Sequence, residues 1–231
     1  MNNYVSLQVN DGSTMNAYTA FPDTSGTYPG IILLQEAFGV NSHIRDVAGR
    51  LAREGYAVIA PELYHRTAPG IEISYDDFPS ARPHIEALTP QGLEADLKAS
   101  FNWLSAQQHV SGKIGTIGFC LGGMVSLLAN AVLGVSAAVG FYGGRSHQFT
   151  HLIPQLHAPQ LFFWGGLDKH INKENINTVT QAMEAAQKPF TNVVISYADH
   201  GFFCDERGSY HPKAAQEAWA MTLAFFKSNL Q

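Results

Sequence analysis

Short, continuous apolar runs recur along the chain, and each is bounded by glycine, proline or polar residues. Ile31-Ile32-Leu33-Leu34, within Gly30 to Gln35, is one of them. Tyr56 to Ala60, Lys113 to Gly118, Ala137 to Phe141 and Gln160 to Trp164 resemble it, and Asn192 to Tyr197 closes the series. Such runs suit parallel strands covered on both faces, because a half-solvated strand alternates apolar with polar positions. Between the runs the apolar spacing becomes helical. Val47, Ala48, Leu51 and Ala52 share one face, and Gly55 stands where a left-handed residue stops a helix. Thr89 followed by Pro90 reads as a helix start, with Leu93, Leu97, Phe101 and Leu104 as the core stripe and an end near Gln108. Leu121 to Leu133 follows a strand directly, and Ile176, Val179 and Met183 mark another helix. Pro212 to Leu230 closes the chain and buries Trp219 and Leu223. The alternation predicts one α/β domain over residues 1–231, with a mostly parallel central sheet and helices on both faces. Pro61 to Pro83 has no regular period and is predicted to be the longest loop, where binding residues are expected.

Composition narrows the partners. With 231 residues, 45% of them hydrophobic, the chain can bury a core without a disulfide framework. Fourteen Lys and Arg against 19 Asp and Glu give a net charge of −5, so no basic field is available and nucleic acid is not an expected partner. No apolar run approaches the roughly 20 residues of a spanning helix, so no membrane partner is expected. Met1 to Asn10 lacks the pattern of an export signal, and a cytoplasmic location is the expectation. Cys120 and Cys204 are then expected to be reduced rather than bridged. Nothing in the pattern requires an oligomer, which leaves a monomer or a weak homo-oligomer.

The sharpest chemical signal is Gly118-Phe119-Cys120-Leu121-Gly122-Gly123, a strand that turns through Gly-x-Cys-x-Gly into a helix. In α/β-hydrolases a serine occupies such an elbow, where glycines let strand and helix approach while the nucleophile is presented at the strand end. Here a thiol takes its place. The helix N-terminus favours thiolate, and the Leu121 N–H is placed to face a developing oxyanion. By itself the pattern also fits a buried structural cysteine in a tight turn. His200 follows the last apolar run, and Asp168 follows the run ending at Trp164. Alone, the first reads as a surface or capping histidine and the second as a turn-shaping aspartate. Together the three run nucleophile, acid, base along the chain, each beyond a different strand, as in the α/β-hydrolase arrangement. Glu36 ends the first run, and its loop is where the second oxyanion donor falls in this topology, here the N–H of Ala37. A carboxylate at that place either opposes the thiolate or accepts the thiol proton.

Gln35-Glu36-Ala37-Phe38-Gly39, Pro61-Glu62-Leu63-Tyr64, the cysteine elbow, Gly165-Gly166-Leu167-Asp168 and His200-Gly201-Phe202 together resemble the dienelactone hydrolases, a cysteine branch of the α/β-hydrolase fold. The resemblance implies hydrolysis of a small-molecule enol lactone to an oxo acid, and the reading adopted is a lactone or carboxylic ester hydrolase. Cys120 would be the nucleophile and His200 the base, with Asp168 orienting His200 and Glu36 taking part in activating the thiol. No metal or organic cofactor is implied. In that family two arginines hold the substrate carboxylate. Arg82 is the candidate for the first, whereas Cys204 stands at the second position and leaves Arg207 as a substitute only if it turns inward. Phe38, Tyr142 and Phe202 are candidates for an apolar substrate wall, although aromatic residues near strand ends are usually core. Two other readings stand beside this one: a broader carboxylesterase or thioesterase of the same fold, and a non-catalytic protein in which Cys120 senses redox state with Cys204 as resolving thiol.

Overall fold

The computed structural model describes residues 3–231, which form two compact units divided between Ile114 and Gly115. The first unit opens with strands β1 (Tyr4–Gln8) and β2 (Thr14–Ala20), paired antiparallel. Neither carries the continuous apolar run by which buried parallel strands are legible. β2 instead alternates, with Met15 and Ala17 buried between exposed Thr14 and Asn16, which is the period-two signature of a strand with one face in solvent. β2 also pairs antiparallel with β4 (Ala57–Pro61), which in turn runs parallel to β3 (Tyr28–Leu34).

All five residues of β4 are buried, although successive side chains point to opposite faces. Both faces must therefore be covered, and α1 (Ser42–Arg53) and α3 (Pro90–Ser105) pack against it. The predicted caps are present. Thr89 accepts a hydrogen bond from the Gly92 N–H at 3.1 Å, and Gly55 has φ +89°.

The stretch read as one long loop contains a helix, α2 (Phe78–Glu86), started by the Asp77 side chain accepting from the Ser80 N–H. Only Ala81 of this helix is buried, and Pro83 lies inside it, so its apolar stripe is too thin to read from the sequence. Ala81 packs with Ala37, Phe38 and Ile73.

In the second unit strand β5, which spans Val110–Phe119 and so begins in the first unit, is followed by β6 (Ala137–Phe141), β7 (Gln160–Gly165) and β8 (Phe190–Ile195), each parallel to the next in that order. β6 is again wholly buried, covered by α4 (Leu121–Val132) and α6 (Pro212–Leu230). α5 (Lys173–Ala185) carries the expected stripe of Ile176, Val179 and Met183. A kinked 3-10 segment, Ser146–Gln155, joins β6 to β7 and had no counterpart in the apolar pattern. Mostly parallel strands sandwiched by helices make this an α/β protein of the predicted class. Among the described residues no helix is long and apolar enough to cross a membrane.

Candidate active site

Cys120 occupies the single position between the end of β5 and the start of α4, with φ 53° and ψ −111°. A non-glycine residue with positive φ is strained, so the turn must be held from both sides. The Cys120 N–H donates to the Phe141 carbonyl at 3.0 Å, anchoring the turn to the neighbouring strand. The glycines allow the close approach: a Cβ on Gly118 would lie 2.0 Å from the Gly122 carbonyl oxygen, and one on Gly123 would lie 2.5 Å from that of Phe141. No side chain caps α4. Its first N–H groups, Leu121 among them, therefore point past the partly exposed Cys120.

His200 lies in the loop after β8, where its Nε2 is 3.2 Å from Cys120 Sγ and its Nδ1 is 2.7 Å from Asp168 Oδ2. A carboxylate accepts, so Nδ1 is the donor to Asp168, and Nε2 faces the sulfur. Asp168 follows β7, and its other oxygen, Oδ1, accepts from the backbone N–H of His170 at 2.7 Å and of Ile171 at 3.1 Å. Burial alone would raise the Asp168 pKa, but the hydrogen bond and charge of His200 and those two N–H groups outweigh it and hold the carboxyl below its ordinary value. Burial likewise pulls the His200 pKa down, yet the negative charge at Cys120 and the hydrogen bond to Asp168 prevail and push it from the ordinary 6.5 up to about 10. The arrangement holds the His200 imidazole between the Cys120 sulfur and the Asp168 carboxylate.

A histidine with a raised folded pKa stabilises the fold fully below its unfolded value and loses that contribution as pH rises through the folded one. The difference in unfolding midpoint between the wild type and His200→Gln is therefore expected to be largest near pH 6 and to shrink between about pH 6.5 and 10. Thermal melts across that range check it, and a flat difference would contradict the charged pair.

Of the predicted site residues, Cys120, Leu121, Asp168 and His200 come together in the second unit. Tyr142 is there too, its ring centroid 5.0 Å from that of His200, and Phe202 packs 5.3 Å from Tyr142. Both aromatics are fully buried. Glu36, Ala37 and Phe38 are buried just beyond the end of β3 in the first unit, where Tyr75 lies 4.6 Å from Phe38 between ring centroids. Arg82 is exposed on α2. Cys204 is buried, and neither cysteine is in a disulfide. Arg207 is half-buried and lies against Gly201. A Cβ on Gly201 would lie 2.5 Å from its Nη1 and 2.6 Å from its Cζ, so the guanidinium rests against the residue next to His200. His170 also contacts the site, its ring 5.5 Å from that of His200, and only its position two residues after Asp168 signals this in the sequence.

A mostly parallel sheet with a strand-to-helix cysteine elbow, and with an aspartate and a histidine on the loops after later strands, is the architecture of the α/β-hydrolase class. Residues 15–230 match the dienelactone hydrolase family, and the chain belongs to it. It is a hydrolase of that family. A Synechocystis protein provisionally named a carboxymethylenebutenolidase is 34% identical, with 96% of this chain and 95% of that protein aligned. The Pseudomonas putida carboxymethylenebutenolidase is 31% identical over 96% of this chain and 94% of its own. Among solved structures, a provisionally assigned dienelactone hydrolase from Klebsiella pneumoniae superposes with a TM-score of 0.86 at 33% identity, covering 97% of this chain and 98% of its own.

Proposed function

We propose that the chain, acting as one domain over residues 1–231, hydrolyses a lactone or carboxylic ester through a thioester on Cys120. The observation that carries this reading is the 3.2 Å contact of Cys120 Sγ with His200 Nε2, backed by the 2.7 Å bond from His200 to Asp168. The thiolate adds to the carbonyl carbon while the Leu121 N–H faces the oxyanion. His200 then gives its Nε2 proton to the departing alkoxide or enolate oxygen as the C–O bond breaks. In the second half His200 takes a proton from water, the hydroxide adds to the thioester, and the thiolate leaves with release of the acid. Amides suit this chemistry poorly, because a thiolate leaves a tetrahedral adduct more readily than an amine does. The family resemblance supplies the remaining roles: Ala37 as second oxyanion donor, Glu36 in activating the thiol, and Phe38 and Arg82 toward the substrate. Tyr142, being buried, supports the imidazole, and Phe202 packs against Tyr142 rather than toward substrate. A substrate pulse quenched in acid is expected to leave an acyl mass on the Cys120 peptide and a product burst of about one equivalent. A reaction that turns over with neither would remove the thioester.

The Arg207 guanidinium, resting against Gly201 beside His200, supports a carboxylated substrate over the broader esterase reading. Arg207→Gln is expected to raise KM for cis-dienelactone about tenfold, the worth of one charge-assisted hydrogen bond, and to leave KM for an uncharged ester unchanged. Equal effects on both substrates would favour the broad carboxylesterase.

A further inference from the structure

We infer that His170 is a positioning residue, forming with Tyr142 a bracket that holds the His200 imidazole in line with Cys120. This rests on the thioester reading above. Two bonds along the ring plane fix where His200 can reach, through Nδ1 to Asp168 and Nε2 to Cys120, but neither stops the ring from swinging about its side-chain torsions once the sulfur is acylated and the second bond is lost. Ring contacts do that. Tyr142, fully buried, lies with its centroid 5.0 Å away at an interplanar angle of 58°, and His170 lies 5.5 Å away at 80°. Tyr142 is itself held in place: its φ is 37°, an unusual backbone for a bulky residue, and its N–H donates to the Phe163 carbonyl at 2.7 Å.

His170 is exposed, so it forms the outer wall of the bracket while Tyr142 forms the inner one. It also acts on the other partner of His200. Its backbone N–H donates to Asp168 Oδ1 at 2.7 Å, so the same residue orients the carboxylate and its ring meets the imidazole that the carboxylate holds. A side chain serving only as surface would not need the ring contact, whereas the backbone N–H to Asp168 is kept by any residue at this position.

The exposed position lets the ring be removed without opening the core. His170→Ala deletes the ring and keeps the N–H to Asp168, and His170→Phe restores a planar ring without the imidazole nitrogens. The readouts are kcat and KM on an uncharged ester, the rate of Cys120 alkylation by iodoacetamide at pH 7, and the thermal midpoint. His170→Ala is expected to lower both kcat and the alkylation rate about tenfold, with KM and the midpoint unchanged, because small displacements of a catalytic group cost rate rather than binding. His170→Phe is expected to recover both rates to within about threefold. A His170→Ala protein that matches the wild type overturns the inference, as does a change confined to KM or a His170→Phe protein as slow as the alanine variant. If wild-type Cys120 alkylates no faster than an ordinary thiol, the paired thiolate itself is absent and the inference falls together with the reading beneath it.

Discussion

Cys120→Ala is expected to lose turnover by at least about 10⁴-fold on any ester or lactone the wild type accepts. The sulfur is the atom that bonds to substrate in the proposed chemistry, and no other thiol can replace it, because Cys204 is buried. Folding should survive. Cys120 is partly exposed and its side chain caps nothing, so the substitution should cost no more than about 1–2 kcal/mol. The strained backbone supplies a control. At φ 53° alanine is as disfavoured as cysteine, whereas Cys120→Gly relieves the strain and is expected to be more stable by about 1 kcal/mol while equally inactive. Activity and stability would then move in opposite directions at one position. Parallel kinetics and urea unfolding on the three proteins check this, and retained turnover in the alanine variant would remove Cys120 from the reaction.

Gly118→Ala is expected to destabilise the fold by about 3 kcal/mol or more, toward the top of the usual range for a single methyl. The new Cβ would sit 2.0 Å from the Gly122 oxygen and 2.3 Å from its carbonyl carbon, and both obstacles are backbone, which cannot rotate aside. Relief requires α4 to move away from β5, and that movement also displaces Cys120 from His200. Gly134→Ala, where nothing lies within 4 Å of the added atom, is the matched control and should be nearly neutral. Urea midpoints at constant slope separate the two. Equal midpoints would mean that the elbow can relax and that its glycines are not steric requirements.

The buried strands were legible because an element covered on both faces must be apolar at successive positions, and β4 and β6 obey that rule without exception. The helix that starts at Thr89 and the one that stops at Gly55 were legible because caps are local chemistry. β2 and α2 escaped for the opposite reason. One alternates and the other buries only Ala81, so each depends on neighbours distant in sequence to become an element at all.

The site divides in the same way. Residue types and order determined the elbow, the chain order of Cys120, Asp168 and His200, and the family, since backbone sterics and acid–base chemistry constrain what can stand at those places. Only the folded chain decided the contacts that depend on side-chain direction: Arg207 against Gly201, and Tyr142 and His170 against the His200 ring. Each is a through-space contact between residues on different turns or loops. No local period encodes which way an arginine folds or which ring faces an imidazole. Packing of the whole chain sets those directions, and the sequence carries them only through that packing.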